Sequence, residues 1–119
     1  MPQGFNELET SILRWMQDYY GNPALSAQIE SAKLVKRKWT GVGFYVYLDV
    51  SRETLPVDVD DFEGWWPIRG PDLRSEDIHL EGSSILWGEG GWIDCIEMFA
   101  YGDFFNEDVK SLLKMFRSV

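Results

Sequence analysis

The sequence contains very few residues of the kinds that bind zinc or form disulfides. Its 119 residues include one cysteine, Cys95, and one histidine, His79. A single cysteine excludes an internal disulfide, and one cysteine with one histidine cannot provide the four ligands of a structural Cys/His zinc site. We therefore expect no structural zinc, and no other pattern in the sequence indicates a cofactor.

Membrane-spanning and targeting segments are also lacking. No apolar stretch approaches the roughly 20 residues that cross a bilayer. Residues 1–7, MPQGFNE, lack the basic start and apolar run of a signal or transit peptide. A lone thiol suits a reducing compartment. These absences predict a cytoplasmic protein that does not enter a membrane.

Positive charge is scarce. Lysine and arginine together number 11 against 20 acidic residues, which gives a net charge of −9 and argues against nucleic acid as a partner. The charge is also segregated, because residues 49–109 contain sixteen acidic residues and three arginines, a net charge of −13. The one basic cluster is explained by lysines that protect an edge strand. Its members are Lys33, Lys36, Arg37 and Lys38.

The remaining composition is that of an ordinary globular domain. Hydrophobic residues make up 45% of the chain and charged residues 26%, so residues 1–119 form one domain with one core.

Apolar residues near the N-terminus recur every three or four positions and predict a helix. Asn6 and Glu9 fit a capping box at its start, and residues 21–23, Gly-Asn-Pro, end it. The apolar positions are Phe5, Leu8, Ile12, Trp15, Met16 and Tyr19.

The middle of the chain has the composition of β-strands. Residues 44–50 are mostly aromatic or β-branched, which predicts a strand that is dry on both faces. Residues 24–38 also suit helical spacing, but we favour an antiparallel partner strand from about Gln28 to Trp39. Prolines and glycines then interrupt every period over residues 51–76, which predicts a long, ordered connection.

A second hairpin is predicted around the glycine-rich residues 88–91, with strands at 78–87 and 92–101. A turn centred between Glu89 and Gly90 places Trp87 opposite Trp92. The same register assigns to the core face Ile78, Leu80, Leu86, Ile93, Cys95, Glu97, Phe99 and Tyr101. The other face, which includes Trp87, Trp92, Ile96 and Met98, is too apolar to stay open, so a helix, the connection or a second copy must cover it.

A final helix is predicted from about Asn106 to Phe116, with acidic residues in its first turn and basic residues in its last. The predicted order is therefore α-β-β-β-β-α. The fold class is α+β, with a single antiparallel sheet of about four strands between N-terminal and C-terminal helices.

Two short stretches resemble a group of small uncharacterised bacterial proteins. These are Thr-Gly-Val-Gly-Phe at residues 40–44 and Gly-Trp-Ile-Asp-Cys-Ile-Glu at residues 91–97, the second of which is followed by Tyr101 and Gly102. The resemblance implies a bacterial origin and a domain that stands alone. It implies no reaction, because the group has no known activity.

No catalytic group assembles from the sequence. In the predicted register Cys95 and His79 point to opposite faces, and the residues around Ser83 and Ser84 lack the nucleophile elbow. The acidic run from Asp58 to Glu63 does not fit an EF-hand, because its sixth position is occupied by Glu63 rather than glycine. We therefore assign no catalytic residue and no metal ligand from the sequence.

The favoured interpretation is a non-enzymatic acidic module, similar in charge and size to immunity or adaptor proteins, that binds a basic protein partner. The alternative is a small-ligand or metal-dependent binding module with a pocket under the 51–76 connection. Glu97 belongs to the second interpretation, because a carboxylate on the core face needs a partner or a role. The candidate binding residues are Asp58, Asp60, Asp61, Glu63, Trp65, Trp66 and Glu97.

Overall fold

In its described residues the protein folds into two helices and an antiparallel sheet, an α+β arrangement. A computed structural model describes residues 2–62, 66–75, 80–101 and 117–118. The helices are α1 (Glu7–Tyr20) and α2 (Pro23–Ser31). The strands are β1 (Lys33–Trp39), β2 (Gly43–Asp49), β3 (Ile68–Ser75), β4 (Leu80–Glu89), β5 (Trp92–Ala100) and β6 (Arg117–Ser118), with a 3-10 turn at Val59–Phe62.

The strand order across the sheet is β1-β2-β5-β4-β3-β6, and every neighbouring pair is antiparallel. The prediction of about four strands was therefore too low. Five strands have seven to ten residues each, and β6 adds two more residues beside β3. The predicted C-terminal helix at 106–116 lies outside the described residues.

The N-terminal helix is confirmed together with its capping box. The Asn6 side chain accepts a hydrogen bond from the Glu9 backbone N–H at 2.8 Å, and Glu9 Oε1 accepts one from the Asn6 N–H at 3.0 Å. Gly21 ends α1 in the left-handed conformation, with φ of 56°, which favours a residue without a Cβ.

The predicted strand from about Gln28 was wrong over its first residues, because α2 continues to Ser31. The Asn22 side chain accepts a hydrogen bond from Leu25 N–H, and Pro23 occupies the first turn. Both features start a helix. The residues that end α1 therefore also start α2, and the strand begins only at Lys33.

The predicted connection at 51–76 was too long, because Ile68–Ser75 form β3. The ladder between β3 and β4 is irregular between Arg69 and Asp72, where Pro71 lies. A proline is accommodated at such a bulge because it has no N–H to donate to the ladder. Its carbonyl oxygen accepts a hydrogen bond from Ser84 Oγ at 2.7 Å.

The predicted register of the second hairpin was also wrong. Trp87 is paired with Cys95, and Trp92 with Glu89, so the two tryptophans are not opposite one another. The turn residues are Gly90 and Gly91, one position later than expected, and the register shifts again beyond Trp87. A three-residue change in register exchanges the faces of one strand relative to the other.

One face of the sheet packs against the two helices, and we call it the inner face. Val46 of β2, Ile96 of β5 and Leu86 of β4 are completely buried there, as their pairing requires. Helix α1 contributes Ile12, Leu13 and Met16, which are equally buried. The assignment of Leu86 to the core is confirmed, whereas Ile96 and Met98 lie on the core side and not on the opposite side, as had been expected.

Candidate functional site

The sheet surface opposite the helices, which we call the outer face, has a different composition. Two cross-strand rows define it across β1, β2, β5 and β4. The first row is Lys38, Tyr45, Glu97 and Ile85, and the second is Lys36, Tyr47, Cys95 and Trp87. A strand predicted to be dry on both faces, β2, is thus buried on one face and half-buried at its tyrosines on the other.

Glu97 lies in the middle of the outer face, not on the core face where the predicted register placed it. Its side chain is half-buried, and Trp87 Nε1 donates a hydrogen bond to Glu97 Oε1 at 2.9 Å. Trp87 itself remains 37% exposed. The pKa of the neighbouring Tyr45 hydroxyl is raised, chiefly by the Glu97 carboxylate. Ionised Tyr45 would be a second negative charge beside Glu97.

Aromatic rings surround this carboxylate. The Tyr45 and Tyr47 ring centroids are 6.1 Å apart, and the Lys36 ammonium lies 5.1 Å from the Tyr47 centroid. A cation over an aromatic face is attracted by the ring electrons. The two rows therefore combine a basic strand at the sheet edge with aromatic rings and the Glu97 carboxylate, and the exposed Asp49 follows at the end of β2.

Cys95 lies on the outer face between Tyr47 and Trp87 in the second row and is 5% exposed. Burial raises the pKa of its thiol to about 12. The thiol stays protonated at neutral pH, and because the thiolate is the reactive form, Cys95 is not an activated nucleophile. His79, its predicted partner in the catalytic alternative, lies outside the described residues.

Three of the predicted acidic residues form an ordered surface turn, which we call the acidic turn and define as Asp58, Asp60 and Asp61. All three are exposed. Asp58 Oδ1 accepts a hydrogen bond from Asp60 N–H at 3.0 Å, and Asp61 N–H donates to the Asp58 carbonyl oxygen. Glu63 lies outside the described residues.

The acidic turn is fastened to the domain on both sides. Val57, the residue before it, is 3% exposed and donates its N–H to the Gly91 carbonyl oxygen at 2.7 Å. Asn22 Nδ2 donates to Asp61 Oδ2 at 3.0 Å. The buried Gln28 side chain donates to the carbonyl oxygens of Leu55 and Gly91. The turn therefore has a fixed position relative to α2 and the β4–β5 hairpin.

Trp66 packs against the edge of the core and donates its indole N–H to the Gly90 carbonyl oxygen at 2.7 Å. Its ring lies over Gly88, where a Cβ would come within 2.5 Å of it. Gly88 and Trp87 are consecutive strand residues and so face opposite sides. Trp66 and Glu97 therefore lie on opposite sides of the sheet and cannot line one pocket. Trp65 lies outside the described residues.

An ion pair that the sequence analysis missed joins the inner face to α1. Arg37 Nε and Nη2 each lie 2.6 Å from a carboxylate oxygen of Glu9, whose side chain is fully buried. This pairing raises the pKa of the Arg37 guanidinium. The basic cluster is thus divided, because Arg37 points inward while Lys36 and Lys38 are exposed on the outer face. The alternation of Arg37 with Lys36 and Lys38 along β1 was the signal in the sequence that Arg37 faces the helices.

Within the described part of the chain, no group of three or more Cys, His, Asp or Glu side chains is placed to hold a metal ion. The same residues include no helix with the length and apolarity needed to cross a bilayer.

Comparisons with protein-family models, with curated proteins and with solved structures found no significant match.

Proposed function

We propose that this protein is a non-enzymatic interaction module that binds a basic protein partner through its acidic turn. The observation that carries the proposal is the fixed geometry of that turn, with three exposed carboxylates next to a buried anchor at Val57. A surface that is already ordered loses little conformational entropy on binding. Opposite charge on the partner would then speed association and select against acidic proteins.

The chemistry of the site supports binding rather than catalysis. The carboxylates of Asp58 and Asp61 accept hydrogen bonds that shape the turn, and neither bond neutralises its charge. The thiol of Cys95 is protonated and lies on the other side of the sheet. The separation of Trp66 from Glu97 gives no support to the alternative, a ligand pocket that would use both.

The proposal is tested by capture of proteins from the native cell on the immobilised protein. The test variant is Asp58→Asn with Asp60→Asn and Asp61→Asn. Asparagine keeps the oxygen that accepts each hydrogen bond, so the turn should keep its shape while losing three charges. We expect the wild-type protein to retain a basic protein, and the variant to bind it with a slower association rate and less dependence on salt.

A matched control removes three charges elsewhere, with Asp18→Asn, Glu53→Gln and Glu89→Gln, all at exposed positions. This variant should bind the captured protein as the wild type does. The proposal is wrong if the wild type retains no basic protein, or if both triple variants lose binding equally, since net charge alone would then explain the effect.

A further inference from the structure

The outer face carries opposite charges on strands that are not neighbours. Lys38 of β1 is paired with Tyr45 of β2, which is paired in turn with Glu97 of β5. Adjacent strands lie about 4.8 Å apart, so the Lys38 and Glu97 backbones are about 10 Å apart with Tyr45 between them. Among the described residues, no lysine or arginine forms an ion pair with Glu97.

We propose that two copies of this chain pack outer face to outer face, as a symmetric dimer whose two-fold axis runs along β2. Rotation about an axis parallel to the strands keeps each cross-strand row in place and exchanges β1 with β5. Lys38 of each copy then lies opposite Glu97 of the second copy. Packed sheets are about 10 Å apart, a distance that these two side chains can bridge.

Other symmetric arrangements give poorer charge pairing. An axis along β5 would place Glu97 opposite its own copy. An axis in the plane of the sheet but across the strands would place β1 over β1, which brings the Lys36 and Lys38 side chains towards their own copies. Like charges across an interface are unfavourable. The axis along β2 also brings the Tyr45 and Tyr47 rings of the two copies together. It places the exposed Asp49, at the end of β2, opposite its own copy, which is one like-charge contact against two Lys38–Glu97 pairs.

The area that the two outer faces can bury limits the affinity of this contact. Across this axis β1, β2 and β5 face β5, β2 and β1 of the second copy, while β4 extends beyond the partner's edge strand. Three strands of about seven residues cover roughly 14 by 24 Å, which is about 340 Å² for each copy. The total of about 700 Å² is well below the range of stable protein interfaces and fits only a weak, transient dimer. The acidic turn is fastened on the helix side, so dimer formation leaves it free, and this inference does not depend on the proposed function.

Sedimentation equilibrium of the full chain over a range of concentrations tests the dimer. We expect reversible dimerisation of the wild type with a micromolar dissociation constant. Lys38→Glu and Glu97→Lys each place like charges face to face and should weaken dimerisation by about tenfold or more. The two changes together reverse the pair and should bring the dissociation constant back to within about threefold of the wild-type value, because the attraction is restored.

Two further variants guard against effects on folding and on net charge. Glu97→Gln keeps an acceptor for Trp87 Nε1 and removes only the charge, so it should also weaken the dimer. Glu53→Lys changes the net charge as Glu97→Lys does, at an exposed position in the 50–67 connection, and should leave the dimer unchanged. The proposal is overturned by a wild-type monomer at every concentration, by failure of the double variant to recover, or by an equal loss in Glu53→Lys.

Discussion

Along β2 and β5, alternate residues of the same strands meet two different environments. On the inner face, Val46 and Ile96 are completely buried beneath the helices. On the outer face, their neighbours Tyr45 and Glu97 are only half-buried. Burial of apolar area is the main favourable term in folding, so the inner face holds most of the stability. The outer face contributes less and is free to carry polar groups with other roles.

The two faces also treat carboxylates differently. Glu9 is fully buried on the helix side and is held by two bonds from Arg37 as well as by the cap of α1. Glu97 on the outer face accepts one bond from a neutral indole and stays partly in water. A buried charge requires a charged partner, whereas a half-exposed one does not. The comparison implies a structural role for Glu9 and leaves Glu97 available for a contact with another molecule.

The largest expected difference between the faces comes from the same truncation on each. Ile96→Ala removes a fully buried side chain and should lower the free energy of unfolding by about 3 kcal/mol. Ile85→Ala, on the outer face, should lower it by about 1 kcal/mol, because water already reaches part of that side chain. Urea unfolding at low protein concentration measures both. Equal losses would contradict the assignment of the two faces.

The next largest effect is expected from the buried carboxylate. Glu9→Gln leaves Arg37 without its charged partner and should lower the free energy of unfolding by about 2 kcal/mol. This is less than for a fully buried pair, because the Arg37 side chain is 27% exposed. Glu7→Gln, an exposed change in the same first turn of α1, is the control and should have almost no effect. A null result for Glu9→Gln would show that the ion pair is not a stabilising contact.

A smaller effect is expected for the hydrogen bond on the outer face. Trp87→Phe removes the indole N–H that Glu97 accepts and should lower the free energy of unfolding by about 0.5–1 kcal/mol. Glu97→Ala should cost a similar amount, and the two changes together should cost less than their sum, because they remove one shared bond. Thermal unfolding of the four proteins provides this cycle. Strictly additive losses would show that the bond has no energetic weight.

The smallest effect is expected from a change of pH between 7 and 9, over which the thiol of Cys95 should remain protonated and unreactive towards a thiol reagent. Its pKa of about 12 in the folded protein is above the ordinary value of 9.0. The unfolded chain therefore loses this proton first, so the contribution of Cys95 to stability is complete below pH 9 and declines as pH rises towards 12. Rapid labelling of the folded protein at pH 8 would contradict this, with urea-unfolded protein as the positive control.

The sequence was sufficient for features that depend on neighbouring residues. Asn6 and Glu9 are three residues apart and form the capping box that their spacing predicts. Asn22 and Pro23 also carried a local signal for the start of α2, but their position directly after the Gly21 stop favoured an end to helical structure. The short segment Gly21–Pro23 therefore both ends α1 and begins α2.

Features that depend on register could not be predicted in this way. Four residues, Gly-Glu-Gly-Gly, allow several turn positions, and the shift in pairing after Trp87 has no clear signature in sequence. The register of β4 against β5 decides which face carries Glu97, so an error in the turn position placed Glu97 on the wrong face. The alternation of tyrosines with Val46 along β2, and of Arg37 with lysines along β1, was a clue to two unlike faces that does not depend on the turn.

Gln28 connects parts of the chain that are distant in sequence, and this has a consequence for the order of folding. Its side chain bonds Leu55, 27 residues away, as well as Gly91 and Ile93, which are 63 and 65 residues away. Contacts at such separations form only after large loops have closed. We expect the backbone that supports Asp58 to reach its final position late, after α2 and the β4–β5 hairpin have met. A partner that recognises this surface would therefore distinguish the finished protein from chains that are still folding.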